Sequence, residues 1–122
     1  MNLYHQELIE HYHHPRHRGT LPSPDVASTV HNPSCGDTVS WQICIQKGRI
    51  AAIAFQGTGC VISQAAASML AEYCLGTELE VVCAYTTQTM LNLIGMELGP
   101  TRLKCALLPL EALHNALATY KP

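Results

Sequence analysis

The order of elements along this chain, strands mainly in the first half and helices in the second, predicts an α+β fold in which a three-stranded antiparallel sheet packs against helices as a sandwich. Two stretches carry that prediction. Thr38 to Lys47 alternates, with Val39, Trp41, Ile43 and Ile45 on one face and Ser40, Gln42, Cys44 and Gln46 on the other, as a half-buried strand does. After Gly59, the alanine-rich run Cys60 to Leu75 places Ile62, Ala66, Met69, Leu70 and Tyr73 on one helical face, with Gly76 as its stop.

The remaining elements follow in order. Leu3, Leu8, Ile9 and Tyr12 recur near helical spacing and predict a short helix stopped by Pro15 and Gly19. A linker rich in proline and serine runs through Pro24, and Val26 to Val30 supplies an early strand. Lys47-Gly48 is a turn from which Arg49 to Phe55 returns as the second arm of a hairpin. Glu78 to Ile94 is helical in pieces. Past Gly99-Pro100, the spacing of Leu110, Leu113, Leu117 and Tyr120 defines a last helix, and Pro109 is compatible only with its first turn, which places Cys105 close to the helix start.

The chain has 122 residues, 48% of them hydrophobic and 13% charged, which is read as one globular domain over residues 1–122. A net charge of -2, with few basic residues and no basic stripe, does not imply nucleic-acid binding by electrostatics alone. No apolar run approaches the roughly 20 residues that cross a bilayer, so a cytoplasmic location is expected. There the six cysteines stay mostly as thiols, which favours metal binding, sulfur chemistry or burial over a disulfide framework.

Three of them stand in unusual settings. Cys35 lies in the turn Asn32-Pro33-Ser34-Cys35-Gly36-Asp37, Cys60 follows Gly57-Thr58-Gly59, and Cys105 follows Arg102-Leu103-Lys104. Helix N-termini favour a thiolate over a thiol, and such surroundings bring a cysteine pKa from about 8.5 to roughly 3.5–7.5. Cys60 and Cys105 are both expected to gain from this. Asp37, two residues past Cys35, could join the three thiolates at a tetrahedral zinc or iron ion. The alternative left open by spacing is three separate buried cysteines, since no Cys-x-x-Cys pair is present. Cys74 and Cys83 are read as packing residues and Cys44 as partly exposed. His5, His11, His13, His14 and His17 are read as a solvated helix face and its exit, and His114 as surface. His31 is near enough to the Cys35 turn to support a ligand.

The motifs Asn32-Pro33-Ser34-Cys35-Gly36-Asp37, Gly57-Thr58-Gly59-Cys60 with Ile62-Ser63 and Ala65 to Leu70, and Lys104-Cys105-Ala106 resemble the U-type iron-sulfur cluster scaffold family, which includes IscU, SufU and the N-terminal domain of NifU. Tyr4, Ile9, His11-Tyr12, Pro15-Arg16 and Gly19 extend the resemblance over nearly the whole chain. It implies a SufE/NifU-like sandwich with the cysteines at one tip. It also implies Cys35, Asp37, Cys60 and Cys105 as ligands of zinc, iron or a transient 2Fe-2S cluster, and Cys105 as the persulfide acceptor. The implied partners are a cysteine desulfurase and recipient apoproteins, with homodimerisation left open and neither nucleic acid nor membrane involved.

Two segments depart from IscU. Lys104 stands where a histidine precedes the last cysteine, and Leu98-Gly99-Pro100-Thr101-Arg102 replaces the chaperone-read Leu-Pro-Pro-Val-Lys. The basic residue before Cys105 is closer to SufU, whose usual insertion between the second and third cysteines is missing. The leading expectation is a scaffold and sulfur carrier rather than an enzyme. A zinc-bound, SufU-like sulfur acceptor that stimulates a desulfurase without holding a cluster is the alternative, and a structural zinc protein is a third class.

Overall fold

The computed structural model describes residues 3–33 and 36–121. Its elements are α1 (Leu3–His13), β1 (Val26–His31), β2 (Thr38–Gln46), β3 (Arg49–Thr58), α2 (Val61–Cys74), α3 (Leu79–Cys83), α4 (Thr87–Ile94) and α5 (Pro100–Ala118). The three strands form one antiparallel sheet in the order β1-β2-β3.

Alternation decides which sheet face is covered. Val39, Trp41, Ile43 and Ile45 of β2 are buried while Thr38, Ser40, Gln42 and Cys44 are only half-buried, so the helices lie on one face. Helices α2 and α5 pack there and against each other. Lys47 and Gly48 both take positive φ, 53° and 72°, the geometry of a tight hairpin turn whose twist matches the strands. β3 continues past the expected Phe55 to Thr58, because its later residues pair with the start of β2. Its outer edge is covered as well. His17 O accepts from Phe55 N at 2.9 Å and Gly19 N donates to Phe55 O at 2.9 Å, so part of the expected linker pairs with the sheet and blunts an open edge.

In α2 the alanines at 65, 66, 67 and 71 are fully buried with Leu70, and their small side chains let the helix approach its neighbours closely. Tyr73 departs from the predicted face: it is 51% exposed, with its ring 5.4 Å from that of Tyr85. Leu70 and Cys74, four residues apart, hold the core side of the last turn, and Tyr73 points about 100° away from Cys74. α1 docks on α2 through fully buried Ser68, whose hydroxyl accepts from Arg16 N at 2.7 Å and bonds to His11 Nδ1 at 2.7 Å.

The last helix corrects a second expectation. It starts at Pro100, with Gly99 as N-cap, so Pro109 is its tenth residue and Cys105 its sixth. Pro100 already supplies the fixed φ that suits a first helical position, which lets the helix begin well before Pro109. An interior proline costs about 3 kcal/mol, in part because it cannot donate to the carbonyl four residues earlier, here that of Cys105. Pro109 is fully buried, and its own carbonyl accepts the indole N–H of Trp41 at 2.9 Å. No helix among the described residues is long and apolar enough to cross a membrane.

Replacing Pro109 by Ala restores the missing donor. A single hydrogen bond contributes about 0.5–1.5 kcal/mol, so amide exchange across residues 103–108 should slow by about three- to ten-fold in Pro109→Ala, read by hydrogen-exchange mass spectrometry. Burial, then the nearby Arg16 guanidinium, holds the His11 pKa below its ordinary value despite opposing carboxylates at Glu72, Glu7 and Glu10. The unfolded chain therefore binds this proton more readily, and stability should rise with pH through the window just below about 6.5. Urea midpoints between about pH 5 and 7 should climb less steeply in His11→Asn than in the parent protein.

Candidate metal centre

Strand pairing builds the site. His31 faces Thr38 at the end of one ladder and Thr38 faces Thr58 at the end of the other, which brings Asp37, just before β2, against the Gly59-Cys60 turn. The loop before Asp37 closes on itself: Gly36 N donates to Asn32 O and Asn32 N to Asp37 O, each at 2.8 Å. Gly36 at φ 76° supplies the left-handed step this closure needs.

Asp37 is 1% exposed. Its Oδ1 accepts the backbone N–H of Cys60 at 2.8 Å, and its Oδ2 accepts from Cys60 Sγ at 3.3 Å. Cys60 is the N-cap of α2, and its sulfur accepts Ser63 N–H at 3.4 Å. The expectation that Cys60 opens a helix therefore holds, and its sulfur sits where backbone N–H groups favour negative charge. Cys105 reaches the same point from α5 and is 5% exposed. It does so from the second turn, so the helix-start argument made for it from sequence is corrected: the first-turn N–H groups belong to earlier residues. Among the described residues, one oxygen of Asp37 and the sulfurs of Cys60 and Cys105 all lie within 4.8 Å of one another. Tetrahedral ligands at about 2.0–2.3 Å from an ion are roughly 3.3–3.8 Å apart, so modest side-chain rotation would close the set. Cys35 lies outside the described residues.

The donor chemistry fits a zinc or iron centre. An aspartate this buried carries a large desolvation cost, and a cation between it and two thiolates would offset that cost while using every donor present. Packing of the turn allows nothing larger at two glycines. A Cβ on Gly59, at φ 132°, would stand 2.0 Å from Asp37 Oδ1, and one on Gly57 would stand 2.4 Å from Thr38 O and 2.9 Å from Gln64 Oε1. Gln64, nearly buried at 6% exposure, donates from Nε2 to Ser63 Oγ at 3.1 Å, and Ser63 Oγ donates to Cys60 O at 3.2 Å. Sequence reasoning missed these supporting residues. The Gly-x-Gly before Cys60 was the one local signal of a close approach.

The other candidates fall elsewhere. Cys74 is buried as expected, and burial pushes its thiol up to about 12, which makes it unreactive. Cys83 is exposed, contrary to the packing role read from its apolar neighbours, because α3 is a single short turn that buries only Val82. Cys44 is half-buried with its Sγ 3.5 Å from Ser23 O. His31 is exposed and bonded to Thr38 Oγ1 at 2.9 Å. His114 is not simply a surface residue: its Nε2 lies 3.0 Å from Val82 O and links α5 to α3. His11 faces α2 rather than solvent alone, so the solvated-face reading is corrected there.

Gly59→Ala should destabilise the protein by about 2–4 kcal/mol, since strain at positive φ adds to overpacking against Asp37. Gly76→Ala, also at positive φ but facing open space, should cost less. Chemical denaturation of the two variants measures the difference.

A sequence model described as the NifU-like N terminal domain matches residues 3–122. The chain is 32% identical over 123 residues to the iron-sulfur cluster assembly enzyme IscU of Drosophila melanogaster, covering 98% of this chain and 79% of that protein. It is 29% identical over 133 residues to the zinc-dependent sulfurtransferase SufU of Bacillus subtilis, covering 95% of this chain and 90% of the relative. The solved N-terminal NifU-like protein of Brucella abortus shares the fold with a TM-score of 0.77 at 22% identity, over 95% of this chain and 92% of that one. With the sheet topology and the buried carboxylate already in place, these matches settle its kinship: the chain belongs to the NifU-like N-terminal domain family.

Proposed function

We propose that this protein is an iron-sulfur cluster assembly scaffold that takes sulfur from a cysteine desulfurase and carries a transient 2Fe-2S cluster to recipient apoproteins. The observation that carries the reading is the buried Asp37 carboxylate gathered with Cys60 and Cys105 within 4.8 Å. Cys35, which precedes Gly36 in the sequence, is proposed as the remaining ligand, and Cys105 as the sulfur acceptor. The names of relatives point the same way, one an assembly protein and one a sulfurtransferase.

The mixed donor set suits cargo that must leave. A carboxylate oxygen is a harder and more readily displaced ligand than a thiolate, so Asp37 is the natural first point of release. Its oxygens are also hydrogen-bonded to Cys60, which lets the protein stabilise Asp37 when it is not on the metal. The second reading, a zinc-bound sulfur acceptor, is favoured by Lys104. A protonated lysine cannot ligate, so this chain lacks the extra nitrogen ligand that the IscU pattern offers beside its last cysteine.

Anaerobic reconstitution with iron, cysteine and a desulfurase should give a coloured protein with sulfur-to-iron charge-transfer bands. A colourless product that keeps zinc would overturn the scaffold reading in favour of the zinc-bound acceptor. Asp37→Ala should hold the cluster several-fold longer against a chelator. The same variant should lose about 1–3 kcal/mol of folding stability, because the Cys60 N–H is left without its acceptor.

A further inference from the structure

The two edges of the sheet end differently. Along β3 the chain covers its own edge: Phe55 exchanges hydrogen bonds with His17 and Gly19, and Ile50 with Gly76 and Thr77. Phe55 stands opposite Trp41 but bonds outward, so Trp41 spends its own N–H and C=O on β1, at Ser28. The bond from Asn32 N to Asp37 O continues the same alternation. Val26, Ser28 and Val30 are thus the bonded positions of β1, and the N–H and C=O groups of Ala27, Thr29 and His31 point away from the sheet. Among the described residues, no hydrogen bond takes up these outward groups. The strand Val26–His31 carries no Lys, Arg, Asp, Glu or Pro and its register has no bulge, so nothing in its sequence blunts the open edge.

Helix α5 lies along the same edge. A hollow of about 350 Å³ separates the end of β1, from Val30 onward, from the side of α5 that carries Lys104, Leu107 and Glu111. Lys104 and Glu111 are exposed and seven residues apart, so they share one helix face about 10 Å from each other, with half-buried Leu107 between them. Neither forms an ion pair among the described residues. We propose that a second copy of this chain occupies the edge. The two β1 strands pair antiparallel about a two-fold axis at Val30, which joins two sheets into one of six strands and sets α5 against its own copy on the helical face.

Three observations select a copy over an extended segment of another protein. The stripe on α5 is its own complement: an antiparallel copy sets Lys104 against Glu111 of the second copy, and Glu111 against Lys104 of the second copy, with the two Leu107 side chains between them. An axis at Val30 also pairs Thr29 with His31 of the second copy, so outward-facing backbone groups meet their like, as an antiparallel ladder requires. The spacing agrees as well. Because α5 rests on both β1 and β2, strands about 4.8 Å apart put its axis about 5 Å from the two-fold axis, and the two helices come within about 10 Å, a normal packing distance. Val30 and Leu107, each only partly buried in one chain, are both covered in the pair. A lone peptide strand on β1 would leave Lys104, Leu107 and Glu111 unmatched.

Sedimentation equilibrium of the purified full chain over a wide concentration range tests the pairing and should show a monomer–dimer equilibrium. Lys104→Glu should weaken the dimer about ten-fold, since two like-charge contacts replace two opposite ones, and adding Glu111→Lys to the same chain should restore it. Thr29→Pro removes an outward donor at a position where an edge strand tolerates proline, so it should sediment as a folded monomer by circular dichroism. Val30→Cys should form a symmetric disulfide on mild oxidation, identified by peptide mass spectrometry, whereas Ala27→Cys, about 20 Å from its copy, should not. A parent chain that stays monomeric throughout would overturn self-pairing. Slowed amide exchange in β1 when a cysteine desulfurase is added to such a monomer would give the edge to an extended segment of that partner instead. A dimer indifferent to Lys104→Glu, or linked as readily through Ala27→Cys as through Val30→Cys, would overturn this interface. The function proposed above stands or falls separately, because no readout requires a bound cluster or transferred sulfur.

Discussion

Asp37 ties the protein's architecture to its chemistry through one carboxylate. One oxygen holds the backbone of Cys60 and the other meets the Cys60 sulfur, with almost no exposure to solvent. A hydrogen bond to an ionised group contributes about 1.5–3 kcal/mol, which must be set against the cost of burying the charge. Cys60 N–H is also at the mouth of α2, where the helix end favours an anion. The same group therefore fixes the start of β2 to the start of α2 and presents an oxygen to the centre of the site. A cation held by the Cys60 sulfur would take the place of the hydrogen that Cys60 Sγ now donates to Oδ2, leaving that oxygen to serve as a ligand as well. Under the proposed function, fold and cargo would draw on one pair of oxygens, and the Asp37 carboxylate already fills the space that a side chain at Gly59 would need.

The sheet was legible because its signal is local. Period-two alternation in β2 and the Lys47-Gly48 turn fix the hairpin, and the structure keeps both. Cys60 as a helix opener was legible for the same reason, a glycine-bounded break before an alanine-rich run. What the sequence hid depends on partners distant along the chain. The pairing of His17 and Gly19 with Phe55, the seat of α1 on Ser68 and the close approach of Gly57 to Gln64 have no nearby pattern to announce them. Pro109 misled for a physical reason: its usual exclusion from helix interiors is a penalty of a few kcal/mol, and tertiary packing around Trp41 outweighs it. That one misreading moved the start of α5 and, with it, the expected surroundings of Cys105.

The two described thiols consequently stand on different mechanical footings. Cys60 is held by the end of the sheet, by Asp37 and by the first turn of α2. Cys105 stands on the part of α5 that precedes Pro109, where the intrahelical hydrogen bond from residue 109 to its carbonyl cannot form. Trp41 ties Pro109 to the sheet through the 2.9 Å hydrogen bond to its carbonyl.

This asymmetry bears on how the two proposed activities share one sulfur. A thiolate bound to a metal has its lone pair committed, and its nucleophilicity falls accordingly, so Cys105 cannot hold cargo and attack a persulfide at the same moment. The activities must alternate, and the alternation needs a second place for the Cys105 sulfur to turn. A histidine before the cysteine could compete for the ion, whereas a protonated lysine has no lone pair to offer it. Asp37, Cys60 and Cys105 lie close enough to share an ion, and under the proposed function Lys104 would stay outside that ligand set.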